Sequence, residues 1–310
     1  MTGFFYTGPI VAVRSYQKPH LPYADQLKLL TSRGLSVSHI PQAVDFLKKV
    51  SYYRLSAYGV PFKGCDGRFV SGVSFERLVR LYNLDEELRL AVLSALSPVE
   101  VYFRTRLTYQ LTERHGPFAH YQKILFRSTF NYTQWLDSLE SEIGRAHEQF
   151  IEHFKATYAG FPKLPLWMAV EVMSFGSLSK LYGGLLPDPQ RSICLPFGVH
   201  HSVMHNWLHA LTYLRNLCAH HNRLWNRELA IRPDIPRKNH EWRVIVFDNT
   251  RIFAVVAVVE WLIRSAGLPI EGADKIYKIL SVIAEEGKGF DKLMGIPDGV
   301  RPGFLWTFNE

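Results

Sequence analysis

The sequence predicts an all-α protein, and three observations support this fold class. Apolar residues recur at the three- and four-residue spacing of amphipathic helices through most of the 310 residues. We find no series of segments in which apolar and polar residues alternate, as they do in half-buried strands. Proline and glycine gather between the periodic segments, where they end helices and form loops.

The first predicted helices are short. One covers residues 22–33 and is closed by Gly34, and the next covers residues 39–50, where apolar side chains again have helical spacing. The glycine-containing segment 63–68 predicts a turn or a small hairpin.

A long helix is predicted next. Ser74 is a typical N-cap residue, and a stripe of leucines continues from it to about residue 114, with Pro98 marking a kink or a break. Later helices are predicted at 133–157, 165–175, 200–222, 241–266 and 272–286, and loops at 183–189 and 232–236. We place a soft boundary near residue 72, between an N-terminal helical extension (1–72) and a larger helical domain (73–310).

Composition and charge restrict the class of protein. Apolar residues make up 47% and charged residues 21% of the chain, which is ordinary for a globular protein and excludes collagen-like and disordered compositions. The formal net charge of +8 attracts polyanions, of which nucleic acid is the commonest in a cell. A merely soluble basic surface would explain the same charge.

Cysteine usage and hydropathy predict a cytoplasmic protein without a membrane anchor. Three widely spaced cysteines form neither a disulfide framework nor a metal-binding pair, which favours a reducing compartment. The first residues lack the pattern of a signal peptide. The longest apolar run, 252–259, meets Glu260 well before the roughly 20 residues that a membrane span requires.

Residues suited to catalysis are concentrated near the end of the predicted helix 200–222. Asn216 and His220 are four residues apart and share a helix face, while Arg215 lies to one side. Arginine can bind a scissile phosphate and stabilise its developing charge. Histidine can move a proton to or from a 2′-hydroxyl or a leaving oxygen, and Asn216 can orient either the histidine or a phosphate oxygen. The trio could cut RNA without a metal or other cofactor, although a helix C-terminus favours Arg and His for structural reasons alone.

Basic and aromatic residues accompany this motif. Basic side chains can follow a phosphate backbone, and Trp225 and Trp242 could stack on unpaired bases; alternatively, both tryptophans anchor the core and the charges form a solvated face. The candidate RNA-binding residues are His221, Asn222, Arg223, Arg227, Arg54, Arg104 and His209. For Arg54, pairing with a carboxylate is the competing interpretation.

Two further groups of residues, a series of histidines and two glutamates, have predicted roles. His201, His205 and His209 have a spacing that can bind zinc, but no cysteine or acidic residue joins them, so a polar stripe leading towards His220 is favoured over a metal site. Glu100 and Glu171 lie in otherwise apolar helices and are expected to hold Arg215 or Arg104 in place. Motifs of nucleotide hydrolases, serine hydrolases and zinc proteases are absent.

Several blocks of sequence, in order, resemble the Abi abortive-infection family, in its AbiD/AbiF-like branch. They cover residues 43–62, 81–89, 98–107, 165–182 and 214–227. Within the last block, Arg215, Asn216 and His220 resemble the R-x(4–6)-H signature of HEPN ribonucleases, in which a polar residue commonly follows the arginine.

The resemblance implies an HEPN-like helical bundle that acts as a metal-independent endoribonuclease in phage defence. Arg215 and His220 would be its catalytic pair, with Asn216 as the polar neighbour. Related sites are completed by two copies of the domain, so the single motif implies a homodimer. A toxin–antitoxin arrangement, with a protein or a small RNA as antitoxin, is also implied. The alternatives are a non-catalytic RNA-binding module and a nucleotide-binding or protein-interaction regulator.

Overall fold

The computed structural model describes residues 15, 17, 19–300 and 305. This part of the chain contains fourteen α-helices and four short 3-10 helices, and it contains isolated β-bridges but no strand. The prediction of an all-α protein is confirmed. By its internal contacts the chain divides into two compact units, residues 1–80 and 81–310.

The described residues of the first unit form three α-helices and the start of a fourth. They are α1 (Tyr23–Ser32), α2 (Ile40–Val50) and α3 (Tyr52–Ser56), followed by a 3-10 segment at Ala57–Phe62. The two helices predicted here are confirmed, because α1 and α2 bury the apolar side chains that gave the periodicity, including Leu27, Leu30 and Leu47.

The fourth helix, α4, runs from Phe75 to His115 and crosses from the first unit into the second. Its predicted N-cap is confirmed, since the Ser74 hydroxyl accepts the backbone N–H of Arg77 at 3.2 Å. Pro98 lies inside this helix and does not end it, so the alternative of a break is wrong. Buried Leu96 and Val99 on either side of Pro98 anchor the helix, which compensates for the lost backbone hydrogen bond.

The second unit continues from α4 with ten more helices among the described residues. They are α5 (Tyr132–Arg145), α6 (Gln149–Thr157), α7 (Leu166–Val172), α8 (Phe175–Gly184), α9 (Pro187–Cys194), α10 (His201–Ala219), α11 (His240–Arg243), α12 (Ile252–Ser265), α13 (Glu271–Glu285) and α14 (Phe290–Met294). Helix α10 packs against α8, α9 and α12 at the centre of this unit. The apolar helix α12 is buried along nearly its whole length. None of the described helices combines the length and apolar character needed to cross a bilayer.

Some element boundaries differ from the prediction. The segments 133–157 and 241–266 each form two helices, and the predicted loop 183–189 contains the end of α8 and the start of α9. Gly183 serves close packing, since a Cβ there would lie 2.3 Å from Nε2 of His205. Pro187 begins α9 at a position where proline needs no N–H partner.

Candidate functional site

The end of helix α10 is shaped by a Schellman motif. The backbone N–H of Asn222 donates to the carbonyl of Leu217 at 2.8 Å, and that of His221 donates to Cys218 at 3.0 Å. His221 adopts a left-handed conformation with φ of 54°, which glycine usually occupies. This turn ends the helix and leaves His220 at the C-cap position, where its side chain is exposed.

Asn216 contacts both members of the predicted catalytic pair. Its side-chain Oδ1 lies 3.4 Å from Nη1 of Arg215, which donates to it, and its backbone carbonyl accepts the N–H of His220 at 3.0 Å. All three side chains are exposed. Among the residues that the structure describes, the His220 imidazole forms no hydrogen bond, so its ring nitrogens are open to a ligand.

The chain that follows this turn is anchored by Asp85 of α4. Oδ1 of the fully buried Asp85 accepts the backbone N–H groups of Leu224 at 3.0 Å and Trp225 at 2.7 Å. Oδ2 accepts a hydrogen bond from the buried Arg89 at 2.5 Å. A buried carboxylate with these partners fixes the backbone a few residues beyond His220. The sequence analysis did not single out Asp85, although an acidic and a basic residue four apart beside buried leucines was the available signal.

Cys218 lies in the same buried region. Burial and the nearby charge of Asp85 raise the pKa of its thiol to about 12. A thiol with so high a pKa stays protonated near neutral pH and is a poor nucleophile. Cys218 is thus set apart from the side chains of Arg215, Asn216 and His220, which are exposed at this helix end.

Arg215 also lines an open cleft of about 290 Å³ together with residues of α4, among them Ser97, Glu100 and Arg104. Glu100 accepts a hydrogen bond from Nη2 of Arg104 at 2.5 Å, so the predicted role of Glu100 as a partner for Arg104 is confirmed. Arg104 donates further to the carbonyls of Val170 and Met173. Its guanidinium is thus used to hold α7 against α4.

The expectation for Glu171 is wrong. Glu171 is exposed and forms no ion pair within the described ranges. Of the two arginines that it was expected to hold, Arg215 or Arg104, the second is already bound by Glu100. The side chain is four residues from Trp167 on α7, and both line a second cleft that also includes Arg104. Trp167 and Tyr109, the exposed aromatic residues of this cleft, were missed by the sequence analysis, which considered other tryptophans.

Trp225 and Trp242 are fully buried, so the interpretation that they stack on bases is wrong and their alternative role as core anchors is correct. The ring of Trp225 packs 4.7 Å from that of Phe290, and the ring of Trp242 packs 5.3 Å from that of Trp207. Tryptophan spacing in the sequence carries no information about which rings reach the surface.

The predicted RNA-binding residues have different environments. His209, His221 and Asn222 are exposed near or on α10, whereas Arg223 and Arg227 are partly buried, with Nη1 of Arg227 donating to the Arg223 carbonyl at 3.3 Å. Arg54 is exposed on α3, in the first unit rather than in the unit that carries Arg215.

The side chains of His201, His205 and His209 on α10 do not meet at one site. Nδ1 of His201 lies 2.9 Å from Oε1 of Gln190, and His205 packs against Gly183. Burial lowers the pKa of both imidazoles, and the positive charge of Arg127 adds to this effect. In the described part of the chain, no group of three or more histidines, cysteines or carboxylates is arranged to hold a metal ion.

A family model described as Abi-like protein matches residues 45–226. The chain belongs to the Abi-like protein family. The matched region of this Abi-like chain contains Asp85, both clefts and the end of α10, and it stops at Asn226, before α11. We find no significant match to the chain among curated proteins or among solved structures.

Proposed function

We propose that this Abi-like chain is a metal-independent endoribonuclease of the HEPN type, acting in phage defence through abortive infection or as the toxin of a toxin–antitoxin pair. The observation that carries the proposal is the position of Asn216. It contacts Arg215 through its side chain and His220 through its backbone, at an exposed helix end beside an open cleft. Family membership supports the link to abortive infection.

The proposed chemistry uses side chains alone. The Arg215 guanidinium binds a non-bridging oxygen of the scissile phosphate and stabilises the charge that develops there. The His220 imidazole transfers a proton to or from the 2′-hydroxyl or the leaving oxygen. Asn216 orients Arg215 and keeps its fork near the phosphate, since its amide oxygen accepts from that guanidinium.

We further propose that two copies of the chain assemble so that their Arg215–His220 motifs face each other. One chain presents one run in which Asn follows the arginine and His220 completes the motif, and a scissile phosphate with two general acid–base groups requires a second histidine. Light scattering should therefore give a dimer. A monomer that cleaves RNA as fast as any larger species would contradict this part of the proposal.

The test is a cleavage assay on single-stranded RNA in EDTA with the purified full chain. Arg215→Ala and His220→Ala should each lower the cleavage rate by about 100-fold or more. Matched controls are Arg145→Ala and His153→Ala, two exposed residues of the same types on α5 and α6 that line neither cleft. Each control variant should keep the wild-type rate.

The outcomes separate the candidate functions. RNA binding without cleavage in the wild type would favour a non-catalytic RNA-binding module. A complete lack of RNA binding would favour a nucleotide-binding or protein-interaction regulator. Expression in cells offers a second readout, because growth arrest by the wild type should be relieved by His220→Ala. An antitoxin, either protein or small RNA, should co-purify with the wild type or suppress the arrest.

A further inference from the structure

The second cleft, of about 300 Å³, lies between α4 and α7. Tyr109 of α4 and Trp167 of α7 line it and are 58% and 49% exposed, so both rings are accessible to a ligand. Glu171 is one helical turn from Trp167 and faces the same cleft. Two aromatic rings and a carboxylate thus line one small depression.

The walls of this cleft are fixed in place. Nη1 of Arg104 donates to the carbonyl of Val170, and Nη2 donates to Met173 at 2.8 Å and to Glu100 at 2.5 Å. These bonds satisfy carbonyls at the C-terminal end of α7 and tie it to α4. The backbone N–H of Leu166 donates to the Pro117 carbonyl at 2.8 Å, which holds the other end of α7. The cleft is therefore preorganised for a ligand.

The charges of the cleft favour a neutral ligand over a phosphate. The Arg104 guanidinium is already paired with Glu100, whereas Glu171 has no cationic partner in the part of the chain that the structure describes. A phosphate in this cleft would meet an uncompensated carboxylate. A flat aromatic ligand with hydrogen-bond donors on its edge suits both the rings and the carboxylate.

We propose that this cleft is a nucleobase subsite, in which Trp167 and Tyr109 stack on an unpaired base and Glu171 accepts hydrogen bonds from the Watson–Crick edge of guanine. Guanine has two adjacent donors, N1–H and the N2 amino group, that match the two oxygens of one carboxylate. Adenine and cytosine offer only an amino group there, and uracil offers only one N–H. The subsite rests on the proposed ribonuclease function and assigns that function a preference for RNA with guanine near the scissile bond.

The position of the subsite fits an RNA strand that also reaches Arg215. Arg104 lines both clefts. The α4 residues of the cleft beside Arg215 lie within 93–104, and those of the cleft beside Trp167 lie within 104–112. At a rise of about 1.5 Å per residue, the cleft centres lie about 14 Å apart along α4. A short single-stranded segment can therefore place one phosphate at Arg215 and a nearby base against Trp167.

Binding is tested with uncleavable 2′-O-methyl oligonucleotides that contain one guanine or none. Trp167 is the only exposed tryptophan among the described residues, so stacking should quench the protein's fluorescence. Trp167→Phe should lose this quenching but still bind. Trp167→Ala should weaken binding about tenfold.

Base selection is tested with Glu171→Gln. Wild type should bind the guanine-containing oligonucleotide about tenfold more tightly than the adenine-substituted one, and the variant should lose this preference because the amide has one acceptor and one donor. Tyr158→Ala removes an exposed tyrosine that lines neither cleft and should change neither value. Thermal melting checks that each variant is folded.

The results distinguish this subsite from the catalytic proposal. Cleavage that depends on Arg215 and His220 but is unchanged, in rate and base preference, by Trp167→Ala and Glu171→Gln would overturn the subsite alone. Guanine-dependent quenching that Glu171→Gln removes, in a protein that does not cleave RNA, would support the subsite and contradict the nuclease. No quenching and no guanine preference would overturn the subsite whatever the cleavage result.

Discussion

The carboxylate of Asp85 accepts the backbone N–H of Trp225 at 2.7 Å, across 140 residues of sequence. The same carboxylate is paired with Arg89 at 2.5 Å, and both residues are buried. Asp85 therefore ties the segment after His220 to α4, the helix that forms one wall of both clefts. An interaction of this kind links the stability of the fold to the geometry of the site.

Asp85→Asn should lower the free energy of unfolding by about 3 kcal/mol or more, because the change removes the buried carboxylate charge that pairs with Arg89. Urea unfolding followed by circular dichroism measures the effect. The control is Asp188→Asn, which breaks an exposed pair with Arg191 and should change stability little. Equal losses in the two variants would mean that burial does not strengthen the Asp85 pair.

Acid should destabilise the protein through His120. This histidine is fully buried, neither ring nitrogen has a hydrogen-bond partner within the described ranges, and burial lowers its pKa to about 4. In the unfolded chain, where its pKa is near 6.5, the His120 side chain binds a proton at a pH at which it stays neutral in the folded protein. The contribution of His120 to stability is therefore complete above about pH 6.5 and is lost as the pH falls towards 4. The expected loss between pH 7 and pH 5 is about 2 kcal/mol from this group.

Urea unfolding of His120→Phe at pH 7 and pH 5 tests this assignment. The variant should show a smaller pH dependence than wild type, and not a zero one, because burial also lowers the pKa of His205. His153→Phe, an exposed histidine on α6, should retain the full wild-type dependence. An unchanged dependence in His120→Phe would assign the acid sensitivity to other groups.

The stability of variants at position 221 should depend on how easily the new residue adopts a left-handed backbone conformation. His221 has a φ of 54°, so His221→Val, which is β-branched, should be less stable than His221→Gly by about 1–2 kcal/mol. Both variants lose the imidazole, and their comparison therefore isolates the backbone effect. Thermal melts of the pair provide the measurement, and equal melting temperatures would show that the turn adjusts without strain.

The three cysteines should differ in reactivity. Cys65 is exposed, whereas Cys194 and Cys218 are buried and burial raises the pKa of both thiols. A thiol reagent near neutral pH should modify one cysteine in the native protein and three after denaturation. Cys65→Ser should remove the fast reaction. Rapid native labelling that persists in this variant would contradict the burial of the other two.

Helix positions were predictable where local periodicity decides them. Residues that form α1, α2 and α4 have apolar spacing that matches the buried face of each helix, and Ser74 provides the expected cap. The divisions within 133–157 and 241–266 were missed, although local signals mark them: Gly144 precedes the end of α5, and Asp248 accepts the backbone N–H of Thr250 in a turn before α12. Gly183 misled the prediction, since its missing side chain makes room for His205 rather than a loop.

The candidate site was likewise predictable only where its residues are close in sequence. Asn216 and His220 could be placed together because they are four residues apart on one helix. Asp85 and Trp167 could not be connected to them, and the partner expected for Glu171 was wrong, since these residues are distant in sequence and only packing decides which charged or aromatic side chain is buried. The same reason explains why the sequence left two roles open for Trp225 and Trp242, base stacking and core anchoring, of which their complete burial excludes the first.

The sequence by itself determined the all-α fold class, the family and the position of Arg215, Asn216 and His220 at the end of one helix. These features depend on residue spacing and on ordered sequence blocks, which are local. Only the tertiary structure decided that Asp85 anchors the chain beyond His220, that Arg104 joins α7 to α4, and that Trp167 and Glu171 remain exposed beside them. Whether a side chain is buried or paired depends on which residues from distant parts of the sequence pack against it. Local residue spacing does not determine those contacts.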